Sequence, residues 1–390
     1  MRSLSGVLSL IILFLPSAMV ARAPGNSVQA SDTVCSAVAT LLPATHSALD
    51  TFWLASQGYY SDVKQKPSDP DFHYWRNAHV IDVLLDAFER TGDSLYTQRV
   101  DRLVDGIFRA NGQRWRNNYY DDMEWMALAL LRASDLTGKI RYYDIARLLW
   151  QDISMGWNSS QGGGIAWKKD QRDYKNTPAN MPACILAARF FQGHNNPNDF
   201  EWALKLFEWQ RLHLVDPETG LVWDGINRTG DGKVDKEWKF TYCQGVYVGA
   251  AAELFRITQK EKYLEAACRT ADWVVNDSLH FSRSGILRPE GTGDGGLFKG
   301  IFVRYLEQLI AIESLDPERK ARYRAYLLHN ASALVSAYGE NPFLGDRWDA
   351  PQSEAIKHSL GTQLSGIMLL EAVNRMCREP ESKSESELTR

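Results

Sequence analysis

Apolar residues return at three- and four-residue spacing through most of the chain, in blocks long enough for several helical turns. Three stretches share one plan: LLDAFERTGDSLYTQRVDRL, ALLRASDLTGKIRYYDIARLLW and AAELFRITQKEKYLEAACRTADW. In each, an amphipathic helix runs into a short turn at Thr91, Thr137 or Thr258, and a second helix follows with an early tyrosine at Tyr96, Tyr142 or Tyr263. Connections this short make antiparallel helical hairpins. Extended along the chain, the pattern predicts six mostly apolar helices near 75–90, 119–136, 178–192, 241–258, 297–313 and 357–377. Six more polar, Trp- and Tyr-rich helices alternate with them, near 37–56, 94–110, 141–155, 199–213, 261–276 and 317–337. Helices apolar almost all round belong inside, and helices with one polar face outside. The expected fold is therefore all-α, an (α/α)6 barrel of six inner and six outer helices; an open α-solenoid is the other arrangement such repeats can take.

Connections leading into the inner helices are longer and rich in Gly, Trp and Asp, as in GGGIAWKKDQRDYKN, GLVWDGINRTGDGKVDKEWKF, SGILRPEGTGDGGLFKG and GDRWDAP. Long loops gathered on one face of a rigid scaffold are where binding and chemistry concentrate. Two local patterns in them are weak. Asn227–Asp235 departs from a calcium loop, with Thr229 at its third position and Trp238 at its twelfth, and Gly162–Gly164 lacks the strand-to-helix context of a phosphate loop. Both read as turns.

With 390 residues, 44% of them hydrophobic, the chain can bury a large core. Its formal charge of -4, with basic and acidic residues interspersed, argues against a nucleic-acid partner. Arg2, an apolar run from Leu8 to Val20 broken by Pro16 and Ser17, and small residues through Ala30 read as a secretory signal peptide over 1–30. The run is short for a membrane span, so none is expected in the mature chain. Residues 31–378 form the expected catalytic domain and 379–390 a disordered tail. The expected location is extracellular or in the cell wall, and the expected state a monomer. Of the five cysteines, Cys35 and Cys377 flank the folded region and are placed to tie its ends, although spacing alone does not fix the pairing.

The densest constellation is Trp115-Arg116-Asn117-Asn118-Tyr119-Tyr120-Asp121-Asp122-Met123-Glu124-Trp125, directly before the apolar run MALALLRA. Aspartate is favoured at helix starts for capping alone. A cap needs one carboxylate, however, and here two adjacent ones enter an inner helix among aromatic residues. Close carboxylates cannot both ionise freely, so one is pushed toward its acid form while the other is held as the anion. That asymmetry suits a general acid beside a nucleophile. Adjacent positions on a regular helix do not face each other, so the pair depends on its first turn. Other inner-helix entrances add His73, Trp75 and Asn77; Lys175, Asn176 and Asn180; Tyr242 and Gln244; Asp294 and Lys299; and Trp348 with Asp349. Aromatic faces that stack on sugar rings, mixed with amides and carboxylates that reach hydroxyls, suit a neutral saccharide.

Tyr119-Tyr120-Asp121-Asp122 followed by Trp125 resembles the catalytic signature of glycoside hydrolase family 76, which contains endo-α-1,6-mannanases. Supporting matches are Gly163-Gly164-Ile165-Ala166-Trp167, Lys175 to Asn180, Phe240 to Gly245, and Leu297-Phe298-Lys299-Gly300 with Arg304. The resemblance implies a six-hairpin glycosidase barrel and hydrolysis of α-1,6-mannan with retention. It makes Asp121 the nucleophile and Asp122 the acid and base, and it implies neither a metal nor an organic cofactor. Substrate-binding roles are expected for His73, Trp75, Asn77, Tyr119, Tyr120, Trp125, Lys175, Asn176, Asn180, Tyr242, Gln244, Asp294 and Lys299. Cys243 departs from the family pattern, where Asn is expected, and puts fine specificity in question. Transglycosylation at the same site, or a non-catalytic glycan-binding cell-wall protein, are the alternative readings.

Overall fold

The computed structural model describes residues 24–62, 71–277, 279–339, 343–351 and 358–378. Residues 1–23 of the expected signal peptide and the expected tail at 379–390 lie outside them. Among the described residues twelve α-helices follow one another: α1 Pro24–Leu49, α2 Tyr74–Thr91, α3 Ser94–Ala110, α4 Tyr120–Thr137, α5 Ile140–Ser154, α6 Met181–His194, α7 Pro197–His213, α8 Thr241–Thr258, α9 Glu261–Asn276, α10 Gly295–Ile310, α11 Pro317–Ala337 and α12 Leu360–Arg378.

The repeated turns have a common mechanism. Helix α2 ends where Gly92 turns left-handed at φ 70°, and Asp93 then caps α3 by accepting from the Leu95 amide at 2.9 Å. Gly138, also at φ 70°, and Gln259 at φ 53° close α4 and α8 in the same way. Each hairpin thus pairs one inner with one outer helix. The inner helices α2, α4, α6, α8, α10 and α12 contact one another in sequence, and α12 returns to α2, so the ring is closed and no solenoid edge remains. Burial follows the predicted division: α8 is buried on nearly every side, whereas α3 buries only Val100, Leu103, Val104, Gly106 and Ile107. Inner helices approach closely where side chains vanish; a Cβ on Gly245 would lie 2.7 Å from the Phe302 Cα, and one on Gly300 2.7 Å from the Ser365 Cα.

Helix α1 packs on α12, and a disulfide joins Cys35 to Cys377 across 342 residues of chain. Cys184, Cys243 and Cys268 are free and buried. The helix expected over 37–56 stops at Leu49, because Trp53–Leu54 (β1) pairs antiparallel with Tyr59–Tyr60 (β2). The long loops hold two further small sheets that the helical periodicity did not reveal. One comprises Ala166–Lys168 (β3), Gln171–Asn176 (β4) and Gly225–Ile226 (β5), the other Ser282–Arg283 (β6) and Ile286–Leu287 (β7). No described helix is long and apolar enough to cross a membrane.

Candidate active site

The long loops and the entrances of the inner helices enclose a cleft of about 770 Å³. Of the residues expected there, it is lined by His73, Trp75, Tyr119, Asp121, Asp122, Trp125, Asn176, Tyr242 and Asp294. The first turn of α4 brings the acids to it. Tyr119, extended at φ -95°, precedes the helix and bridges Lys168, while the Asn118 carbonyl accepts from the Lys169 amide at 3.0 Å. These backbone contacts dock the β3–β4 hairpin beside the turn and bring Trp167 against Asp121. The Trp167 indole N–H donates to Asp121 Oδ2 at 3.0 Å, and the Asp122 amide donates to Asp121 Oδ1 at 3.0 Å. Asn117 donates from Nδ2 to Asp122 Oδ2 at 2.8 Å while its Oδ1 accepts from the Tyr119 amide at 3.1 Å, fixing the approach to the helix.

The two carboxyls are therefore unequal. Burial raises Asp121 to about 7, against the pull of the Asp122 amide and the Trp167 indole. Asp122 is pushed well above the usual range, first by burial and then by the charges of Asp121 and Asp294, with Asn117 and Arg76 opposing. Two N–H donors favour the anion on Asp121, whereas Asp122 accepts from the Asn117 side-chain amide alone among the described residues. Glu124 is fully buried, pushed well up by desolvation and by Asp121, and neither of its carboxyl oxygens has a side-chain hydrogen-bond partner among the described residues.

The walls include groups not expected above to bind substrate: Tyr174, Asp224, Arg228, Trp238, Phe240, Glu290 and Phe298 join Trp167. Tyr242 stacks on Phe298 with centroids 3.9 Å apart. Asp224 accepts from the Tyr174 and Tyr242 hydroxyls, each at 2.9 Å, and burial raises its carboxyl. Glu290 accepts from the Thr241 amide at 2.9 Å, and burial pushes it to about 7. Asp224 and Glu290 lie in loops marked by length and composition, but periodicity carries no information about which loop side chains turn inward. Cys243 is fully buried with its thiol 3.6 Å from Asp224 Oδ1, so it sits behind that wall and does not line the cleft.

Six expected binding residues do not line the cleft. Asn77 accepts from the Tyr60 amide and donates to the Tyr60 carbonyl, at 2.9 and 3.0 Å. Asn180 grips Ile165 in the same two-way manner at 2.8 and 3.0 Å, and Gln244 grips Val222 at 2.9 and 2.7 Å. These amides recur at inner-helix entrances because each satisfies both backbone groups of a buried loop residue. Gln363, with bonds to the Leu344 amide and the Thr45 carbonyl, serves a fourth entrance. Lys175 donates to the Gly164 carbonyl at 2.8 Å, and Lys299 to the Asp346 carbonyl at 2.5 Å while lying 4.0 Å over the Trp348 ring. Tyr120 is buried against Gly156. Asn180→Ala is expected to lower unfolding free energy by about 1–3 kcal/mol, because it strands a buried N–H and C=O. Urea unfolding of the two proteins measures it, and wild-type stability in the variant would refute the clamp.

Beneath the cleft, His79 wedges between two of its tryptophans, with centroids 5.6 Å from Trp75 and 4.8 Å from Trp125. Burial lowers its imidazole to about 3, so it is a neutral spacer. His73 pairs with Asp71 at 3.0 Å, and these two approach Asp62. Arg76 already neutralises Asp62 at 2.6 Å.

A model of the family described as "Glycosyl hydrolase family 76" matches residues 39–384. The chain is 23% identical over 354 residues to the mannan endo-1,6-alpha-mannosidase DCW1 of Candida glabrata, a match covering 80% of this chain and 74% of that protein. The α-1,6-mannanase GH76A of a Salegentibacter species is 38% identical with a TM-score of 0.81, over 88% of this chain and 99% of that one. An inactive variant of that mannanase, with two consecutive aspartates replaced by asparagine, has been solved in complex with α-1,6-mannotriose. A Listeria innocua protein is 36% identical with a TM-score of 0.82, over 89% of this chain and 99% of its own. The family match runs from the first helix of the barrel through the last and takes in every wall of the cleft: the chain belongs to glycosyl hydrolase family 76.

Proposed function

We propose that the protein is an endo-acting α-1,6-mannanase that hydrolyses mannan with retention of anomeric configuration. The observation that carries the reading is the unequal pair Asp121 and Asp122 at the cleft, one held by two N–H donors and the other pressed toward its acid form. The inactive Salegentibacter mannanase supports it, since replacing two adjacent aspartates there removed activity in a protein that carries α-1,6-mannotriose.

In this reading the ionised Asp121 attacks the anomeric carbon and forms a glycosyl ester. Asp122, bound through Oδ2 to Asn117, uses its other oxygen to give a proton to the departing glycosidic oxygen. The resulting Asp122 carboxylate then takes a proton from water as that water attacks the ester, which restores both acids. Amide and indole donors on Asp121 orient it and stabilise the anion before attack and after release. The stacked Tyr242 and Phe298 and the indoles of Trp75, Trp125 and Trp167 offer ring faces to the sugars. Residues 31–378 serve as the catalytic domain, working as a monomer outside the cell. The Cys35–Cys377 disulfide supports an oxidising compartment.

Incubation with linear α-1,6-mannan, followed by proton NMR at early times, tests the proposal. Short oligosaccharides whose new reducing ends appear first as the α anomer are expected; initial β anomer would overturn the retaining mechanism, and an unchanged polymer would overturn the activity.

A further inference from the structure

Beside the cleft, a second groove of about 750 Å³ runs between the α3–α4 loop, α5 and the tip of the β3–β4 hairpin. Its apolar surface is Phe108, Trp115 and Leu148, and its polar edge includes Arg114, Arg116 and Lys169. Asn117 also lines it, and the same side chain donates to Asp122, so a single side chain links the groove to the catalytic pair. Lys169 is neutralised by Asp152. Arg114 and Arg116 are exposed, and neither has a carboxylate partner among the described residues. The arginines of the inner helices differ, since Arg132, Arg189, Arg304 and Arg375 each meet a carboxylate.

The cleft has the opposite character. Asp121, Asp122, Asp224, Glu290 and Asp294 line it, while its Arg228 faces Asp235 at 3.3 Å. A glycan lying across both would meet hydrogen-bonding acids at the reacting sugars and, beside them, two guanidinium forks without a carboxylate partner among the described residues, which attract an anion. Trp115, half-buried and packed on Phe108 with centroids 5.0 Å apart, is an aromatic group of that groove's lining.

We propose that this groove is a subsite for a sugar carrying a phosphate or sulfate ester, bound by Arg114 and Arg116, so that the enzyme cuts mannan at a set distance from a charged substituent. The proposal rests on the mannanase reading. It places the anion on the groove side, where the two guanidinium groups stand.

The test uses the full chain with Asp121→Asn and Asp122→Asn, which holds oligosaccharides without turning them over. Calorimetry compares neutral α-1,6-mannohexaose with the same chain bearing one phosphate or one sulfate ester on a terminal sugar. At least one ester is expected to bind about tenfold more tightly than the neutral chain, with a gain that shrinks as salt is raised. Adding Arg114→Gln and Arg116→Gln should remove that gain and leave neutral affinity unchanged, which also shows that the variant is folded. Equal affinity for the neutral and both charged chains, or a preference that survives loss of both arginines, would overturn the subsite while leaving the mannanase reading intact. Failure to hold even the neutral chain would overturn the mannanase reading and the subsite with it.

Discussion

Asp121→Asn is expected to lower kcat/KM on α-1,6-mannan by at least about a thousandfold, and Asp122→Asn by about a hundredfold or more, each with the barrel intact. The two losses differ in kind. Asparagine at 121 offers no anion to form the glycosyl ester, whereas asparagine at 122 leaves the nucleophile but removes the proton for the leaving oxygen. A substrate with a leaving group that needs no protonation should therefore recover much of its rate in Asp122→Asn and none in Asp121→Asn. Wild-type activity should fall on the acid side as Asp121 takes up a proton near pH 7, and hold until Asp122 loses its own at a higher pH. Stability carries the opposite sign. Burial raises both carboxyls, so the fold is favoured below the ordinary carboxylate range and loses that part as pH climbs through the raised values. Asp121→Asn should accordingly melt no lower than wild type at neutral pH, and higher above it. Equal activity in both variants would move the chemistry to another part of the cleft.

Asp86→Asn is expected to cost about 3–5 kcal/mol of unfolding free energy, the largest stability loss from a single polar substitution in the barrel. Asp86 on α2 is buried, and it accepts from Arg132 of α4 at 2.7 Å, Arg304 of α10 at 2.6 Å and Arg375 of α12 at 3.2 Å. One carboxylate thus ties four inner helices together. Arg132 also reaches Asp82 and Glu89, and Arg375 reaches Glu307, so these two keep a partner in the variant. Arg304 does not; among the described residues Asp86 is its only ion-pair partner. The variant leaves that guanidinium buried and uncompensated. The three arginines hold the Asp86 carboxyl far below the ordinary range despite its burial, so its contribution is present at neutral pH. It is lost only when strong acid protonates the folded form. Guanidinium unfolding at neutral pH measures the effect, and a variant within about 1 kcal/mol of wild type would refute the network's role.

Helix positions and their inside or outside placement were legible because both follow from local rules. Apolar spacing at 3.6 residues marks a helix, and the width of the apolar stripe tells how many sides are covered. The Thr-Gly-Asp and Thr-Gly-Lys turns were legible for a similar reason, since a left-handed closing residue followed at once by a new helix is a local motif. Asp121 and Asp122 could be singled out because two acids exceed what a cap requires. The amides Asn77, Asn180 and Gln244 could not be separated from sugar-binding groups, because a side chain gripping buried backbone has the same composition and position as one facing a ligand. Lys175 and Lys299 turned inward for the same reason: each meets a buried carbonyl that no pattern along the chain reveals.

Twelve helices in alternation, the end at which the long loops gather, and a pair of adjacent acids at the start of one inner helix can all be read along the chain. Those features depend on neighbours a few positions apart. Folding settles which loop residues face the cleft, that Asp224 and Glu290 join its walls, that Cys243 lies behind one of them, and that Arg114 and Arg116 stand beside it without a carboxylate partner among the described residues. It also decided the inequality of Asp121 and Asp122, because that depends on an indole 46 positions along the chain from Asp121 and on burial under separate loops. Contacts between distant segments arise only when the ring closes, and the chain's local periodicity carries no record of them.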